Sequence, residues 1–213
     1  MRERYDSLAD LARHLRVRAN RLIPLIQTSP PPVTAESDRT VAYVTIEALN
    51  AWASFSRAFY VSSALRAYNA KGTRITITTA GLKTPDDAVL LATKRLKSYF
   101  KGARVARREE PAWHDVNNLI TLLQHVGASN AGVAVTAFGY STKAFICLPA
   151  LRNFFAHRNE DTCARCAAIA ATIPVPPSRR PADILLYRDL AKPMNVLSEW
   201  ITDMTYVADQ LVQ

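Results

Sequence analysis

Twelve prolines and only six glycines punctuate these 213 residues, and the prolines gather between long stretches whose apolar residues recur at helical spacing. Proline removes a backbone donor and restrains the residue before it, so segments with that periodicity between proline clusters read as helices bounded by loops. The chain is therefore expected to be all-α. At 49% hydrophobic it carries enough apolar side chains for one full core. That length falls short of two ordinary domains. A single domain over 1–213 is expected, with 181–213 as a C-terminal helical extension.

The first helix is expected over about 7–26, with Leu8, Leu11, Leu15, Leu22 and Ile26 inward and Arg13, Arg16, Arg18 and Arg21 supplying positive charge. The loop QTSPPPVTAESDR ends it. A second helix, about 41–68, is poor in charge, which points to burial around most of its circumference. Its polar exceptions align. Glu47, Asn50, Ser54 and Arg57 fall on a single stripe of a cylinder otherwise covered by Ala48, Trp52, Phe55 and Phe59. A solvated stripe is the plain reading, and a polar seam facing a site or a partner subunit is the functional one.

Further along, TRITITT alternates β-branched residues but has no obvious strand to pair with, so it reads as loop. TPDDAVLLATKRLKSYF restarts a helix, with Thr84 as its N-cap, Pro85 at its first position and acidic residues in its first turn. KGARVARREEP reads as a basic, flexible linker whose Lys101, Arg104, Arg107 and Arg108 are candidate contacts for RNA phosphates. Another helix follows over about 112–126, and a last pair over about 182–190 and 194–212. Trp52, Trp113 and Trp200 sit among apolar residues at helical spacing and read as core rather than as base-stacking platforms.

A net charge of +9 would draw polyanions, whether nucleic acid or an anionic membrane surface. No window resembles a signal peptide, and no apolar run is long enough to span a bilayer, so a cytosolic protein without a membrane partner is expected. Cys147, Cys163 and Cys166 are an odd set in such a chain and read as reduced thiols. Cys163 and Cys166 form one CxxC, but a structural zinc site needs a second knuckle. No metal and no cofactor is expected.

The segment ICLPALRNFFAHRNEDTC interrupts an apolar pattern with Arg152, Asn153, His157 and Arg158. Read as a helix with Pro149 in its first turn and continuing to about 172, it sends Leu148, Leu151 and Phe155 to one side as core. Asn153 and His157, four apart, share a different face. Arg152 and His157 differ by about 140° around the axis and roughly 7.5 Å along it, so they border a groove rather than stack. An imidazole beside two guanidinium groups suits phosphate chemistry. His14, His114 and His125 read as structural or exposed.

At Arg152-Asn153-Phe154-Phe155-Ala156-His157 the chain resembles the HEPN superfamily, whose signature is an Arg, a polar residue and then a His four to six residues after the Arg. The resemblance covers about 148–158 strongly and extends plausibly to the helices before it. It implies an all-α, up-and-down helical bundle of the HEPN type with extra C-terminal helices, and a metal-independent endoribonuclease acting as a homodimer, with two copies of the motif facing each other across a composite cleft. His157 would be the general base or acid and Arg152 would bind the scissile phosphate. Asn153 and Arg158 would support them, and Glu47, Asn50 and Arg57 would line the same cleft. Products would carry 2′,3′-cyclic phosphate and 5′-OH ends. Family members serve as toxins or in antiviral defence, so a cognate antitoxin or an activating partner is implied. One toxin branch carries a tyrosine two residues after the His, which its antitoxin modifies. Here that position is Asn159, so such regulation is not expected. The alternative is a catalytically silent HEPN-like module or adaptor that binds RNA or protein.

Overall fold

Two of the helix starts in this chain are fixed by local capping chemistry that the sequence spells out. The Thr84 hydroxyl accepts from the Asp87 N–H at 3.2 Å, and the Asp87 carboxylate accepts from the Thr84 N–H at 2.9 Å. With Pro85 at the first position, the helix is started as its sequence predicts. These hydrogen bonds, with Thr84 foremost, hold the Asp87 carboxyl below the usual carboxylate range. Asp115 starts the following helix the same way, its carboxylate accepting from the N–H groups of Asn117 and Asn118.

The computed structural model describes residues 7–27, 33–139, 143–173, 180–189 and 191–213. Among them are nine α-helices: α1 Leu8–Gln27, α2 Ala35–Ala64, α3 Pro85–Leu96, α4 Val116–His125, α5 Ala131–Gly139, α6 Ala144–His157, α7 Glu160–Ala170, α8 Pro181–Leu186 and α9 Val196–Leu211. β structure among the described residues is confined to isolated bridges at Tyr68, with Ser7 and with Arg74. The chain is all-α. No single described helix is long and apolar enough to cross a membrane, and α5 with α6 reaches that length and hydropathy only as a bent pair.

Several boundaries differ from the sequence expectation. α2 begins at Ala35, because Thr34 and Ser37 exchange backbone-to-hydroxyl bonds at 2.8 and 3.2 Å and so cap a turn that had read as loop. The prolines at 30–32 lie outside the described residues, as does the proline-rich stretch at 174–179. α4 starts at Val116 rather than near 112, where Asp115 supplies the cap. The stretch expected as a flexible linker contains a 3-10 turn, Arg107–Glu109, and is tied down by Lys97, whose ammonium donates to the Glu109 and Glu110 carbonyls at 2.7 and 3.2 Å.

The chain divides into two compact units. The first comprises Met1–Leu15, Trp52–Ser141 and Val207–Gln213. Its core is aromatic: Trp52 lies 5.2 Å from Phe55 and 6.0 Å from Phe138 between ring centroids, and Tyr60 lies 5.7 Å from Trp113. Burial of the Tyr60 hydroxyl, which donates to the Ala88 carbonyl, pushes its pKa up. α4 packs on α3 and α5, burying Leu119, Leu122 and Leu123. TRITITT runs as an extended connection, and its Thr78 and Thr79 N–H groups bond the Val126 carbonyl at 3.1 and 3.2 Å. That carbonyl belongs to the end of α4, where Gly127 turns the chain with φ +63. A Cβ there would stand 1.9 Å from the Thr78 hydroxyl, so only glycine fits.

The second unit comprises Arg16–Ala51 and Thr142–Tyr206. Buried Asn195 organises it. Its amide donates to the Ile26 carbonyl at 3.0 Å, while its side-chain oxygen accepts from the Ser198 N–H at 2.9 Å and caps α9. One side chain thus satisfies orphan groups at two helix ends. Val33 and α8 are joined through Asp183 and Arg180. Leu185, Leu197, Trp200 and Ile201 are buried in this unit, which holds α8 and α9 up to Tyr206.

Candidate functional site

α6 carries the motif, and burial explains why it forms. Ala144, Cys147, Leu148, Leu151 and Phe155 are buried along one side, and α7 packs against the helix. The core stripe of Leu148, Leu151 and Phe155 is as expected. Pro149, however, lies inside α6 and not in its first turn. A proline there removes one backbone bond at a cost of about 3 kcal/mol, which the buried side chains around it outweigh, since each fully buried leucine contributes about 2 kcal/mol.

The helix does not run on to 172 as expected. It ends at His157, because Arg158 takes a left-handed conformation (φ +45, ψ +48) and Asn159 opens α7. The Asn159 carboxamide accepts from the Thr162 N–H at 2.9 Å, and the Thr162 hydroxyl takes the Asn159 N–H at 3.2 Å. Within α7, Cys166 is buried, while Thr162 and Ile169 are half-buried. Cys166 donates to the Ala150 carbonyl. Burial pushes the Cys166 thiol up to about 11 and raises Cys147 as well, so both are neutral thiols. Among the described residues no group of three or more His, Cys, Asp or Glu could hold a metal ion.

Around the helix, Arg152 is half-buried and donates to the Asn153 carboxamide oxygen at 3.3 Å, joining the first two motif residues. Asn153 and His157 are exposed, and among the described residues the His157 ring makes no hydrogen bond or ion pair. Ile146, Ala150, Asn153 and His157 share this face, and Ile146 is 75% exposed there. One outer face of α6 is therefore apolar at its start and polar at its end. Arg158 turns elsewhere: its guanidinium lies 2.9 Å from the Asp38 carboxylate and 5.9 Å from the Phe155 ring centroid.

The polar stripe of α2 divides between the two units. Glu47 pairs with Arg18 at 3.3 Å and accepts from Asn50 at 3.2 Å, both in the second unit. Arg57 belongs to the first, where it makes a buried ion pair with Glu110 at 2.7 Å, joined by the Trp113 indole N–H at 2.7 Å. Burial alone would raise the Glu110 carboxyl, but the bonds from Arg57 and Trp113 outweigh it and hold the group below its usual range. Lys101, Arg104, Arg107 and Arg108 are all exposed in the first unit. Arg104 borders a cavity of about 200 Å³ with Arg57, Glu110, Asp86 and Asp87. Three carboxylates against two guanidinium groups give that cavity no excess of positive charge for a phosphate.

Two participants escape a reading of the sequence. Asp38 has no local signal, since only the fold brings it to Arg158. Glu110 was hidden within a run that reads as a solvated basic linker. The cap at Asn159 was legible in principle, as an Asn three residues before a Thr. No family model, curated protein or solved structure matches this chain.

Proposed function

We propose that this chain is a metal-independent endoribonuclease of the HEPN type, acting on RNA as a homodimer in the cytosol. The observation that carries the proposal is the state of RNFFAH: one helix holds Arg152 bonded to Asn153, and ends on an exposed His157 whose ring has no partner among the described residues. A group meant to exchange a proton with a substrate needs that freedom. Ile146, exposed on the same face, suits contact with a second copy.

In this reading His157 takes the proton from a ribose 2′-OH as its oxygen bonds the adjacent phosphorus. The bond from phosphorus to the 5′ oxygen breaks, and that oxygen receives a proton, from the partner copy's histidine or from solvent. Arg152 stabilises the charge that builds on the phosphate oxygens. Products are a 2′,3′-cyclic phosphate and a 5′-OH. Lys101, Arg104, Arg107 and Arg108 hold RNA through its backbone. The biological role is that of a toxin or an antiviral effector, restrained by an antitoxin or released by an activator.

The test is cleavage of end-labelled RNA in excess EDTA, with the product ends identified. Wild-type cleavage to cyclic phosphate ends, reduced about 10²-fold or more in His157→Ala with RNA affinity retained, is the expected result. If wild type and variant bind RNA equally and neither cuts, the protein is a binding module.

A further inference from the structure

Arg158 is the first residue beyond α6, and the chain holds it in a conformation that L side chains other than Asn and Asp rarely adopt. Three contacts converge on this one residue. Its N–H donates to the Phe154 carbonyl at 2.7 Å, closing the last turn of the helix. Its guanidinium lies over the ring of buried Phe155. The same guanidinium meets the Asp38 carboxylate at 2.9 Å. Asp38 stands in the first turn of α2, a helix end fixed by the reciprocal bonds of Thr34 and Ser37. The next residue, Asn159, is locked as the cap of α7.

His157 sits immediately before this knot, and its ring makes no hydrogen bond or ion pair among the described residues. The position of its Cα and the direction of its Cα–Cβ bond, from which the free ring turns, are set by where the last turn of α6 stops. A guanidinium anchored on a second helix determines that stop more tightly than a freely turning glycine would.

We infer that Asp38 is a positioning residue. Through Arg158 it fixes the final turn of α6 and so the place and Cα–Cβ direction from which His157 presents its imidazole. What the positioning serves rests on the nuclease reading, whereas the positioning itself does not.

The experiment follows the imidazole signals of the four histidines by NMR in the full chain, with His157 assigned from the His157→Ala spectrum. The variants are Asp38→Asn, Asp38→Glu and Arg158→Gly, with RNA cleavage measured on the same samples. Arg158→Gly keeps the left-handed turn and removes the guanidinium. Asp38→Asn and Arg158→Gly are expected to broaden or move the His157 signal and leave those of His14, His114 and His125 in place. Asp38→Glu restores it. Cleavage by Asp38→Asn falls about tenfold in kcat with KM changed less than about twofold, as a slightly misdirected base requires. A His157 signal unchanged in both Asp38→Asn and Arg158→Gly overturns the proposal, whatever the cleavage rates. A wild type that cuts no RNA, yet whose His157 signal responds to Asp38→Asn, upholds the positioning and removes the nuclease reading.

Discussion

Helices α4 and α6 both stop on a residue of positive φ, yet they do so with opposite chemistry. α4 uses Gly127 (φ +63), packed so closely on Thr78 that no side chain fits. α6 uses Arg158 (φ +45), which bears a conformational cost of about 1–2 kcal/mol and keeps a long side chain that reaches Asp38. Where a turn only has to pack, glycine is the cheaper solution. An arginine held there against local preference marks a place where the side chain matters more than the strain.

The largest effect belongs to the glycine end. Gly127→Ala combines left-handed strain with a clash against Thr78 and is expected to destabilise the protein by about 3–4 kcal/mol, read from urea unfolding. A loss below about 1 kcal/mol would mean that the turn relaxes, and the contrast with α6 would weaken.

The ion pairs sharpen the same comparison. Arg57 and Glu110 are 14% and 8% exposed, whereas Arg158 and Asp38 are 51% and 30% exposed. Glu110→Gln leaves Arg57 buried without its charge partner and is expected to cost about 3 kcal/mol at neutral pH. The sign of its pH dependence follows from the lowered carboxyl. Glu110 stabilises the fold above its ordinary value of 4.5, and that contribution is lost as pH falls through the lower folded value. Wild-type and Glu110→Gln unfolding curves should therefore converge in acid.

Arg158→Gly gives the smallest change in stability. Relief of the left-handed strain offsets an exposed ion pair worth about 0.5 kcal/mol and the stacking on Phe155, leaving a net shift of less than about 1 kcal/mol in thermal unfolding. A loss as large as that of Gly127→Ala would recast Arg158 as a purely structural lock.

Which features were legible follows from how local their physics is. Thr84, Pro85 and Asp87 specify a helix start within four residues, and the structure has it there. Trp52, Trp113 and Trp200 are buried, as their apolar spacing suggests. Pro149 was misplaced because proline argues for a first turn, while the turn preceding it is held by tertiary burial of Ala144, Cys147 and Leu148. The break between α6 and α7 was missed because apolar periodicity runs through it. Within the site, Arg152, Asn153 and His157 are recognisable as one helical constellation. Asp38 is not, since nothing near it in the chain speaks of Arg158.

Asn195 bonds the carbonyl of Ile26, 169 residues earlier. Closing so long a loop is entropically unfavourable and slows folding. On a ribosome adding about 5–20 residues per second, Arg16–Ala51 emerges roughly 10 s before Thr142–Tyr206, the segment that completes its unit. During that interval the Ile26 carbonyl lacks Asn195 and the Asp38 carboxylate lacks Arg158. Asn195 is thus a timing element as well as a cap: the RNFFAH helix is translated before it, but the unit that holds the helix closes only after it.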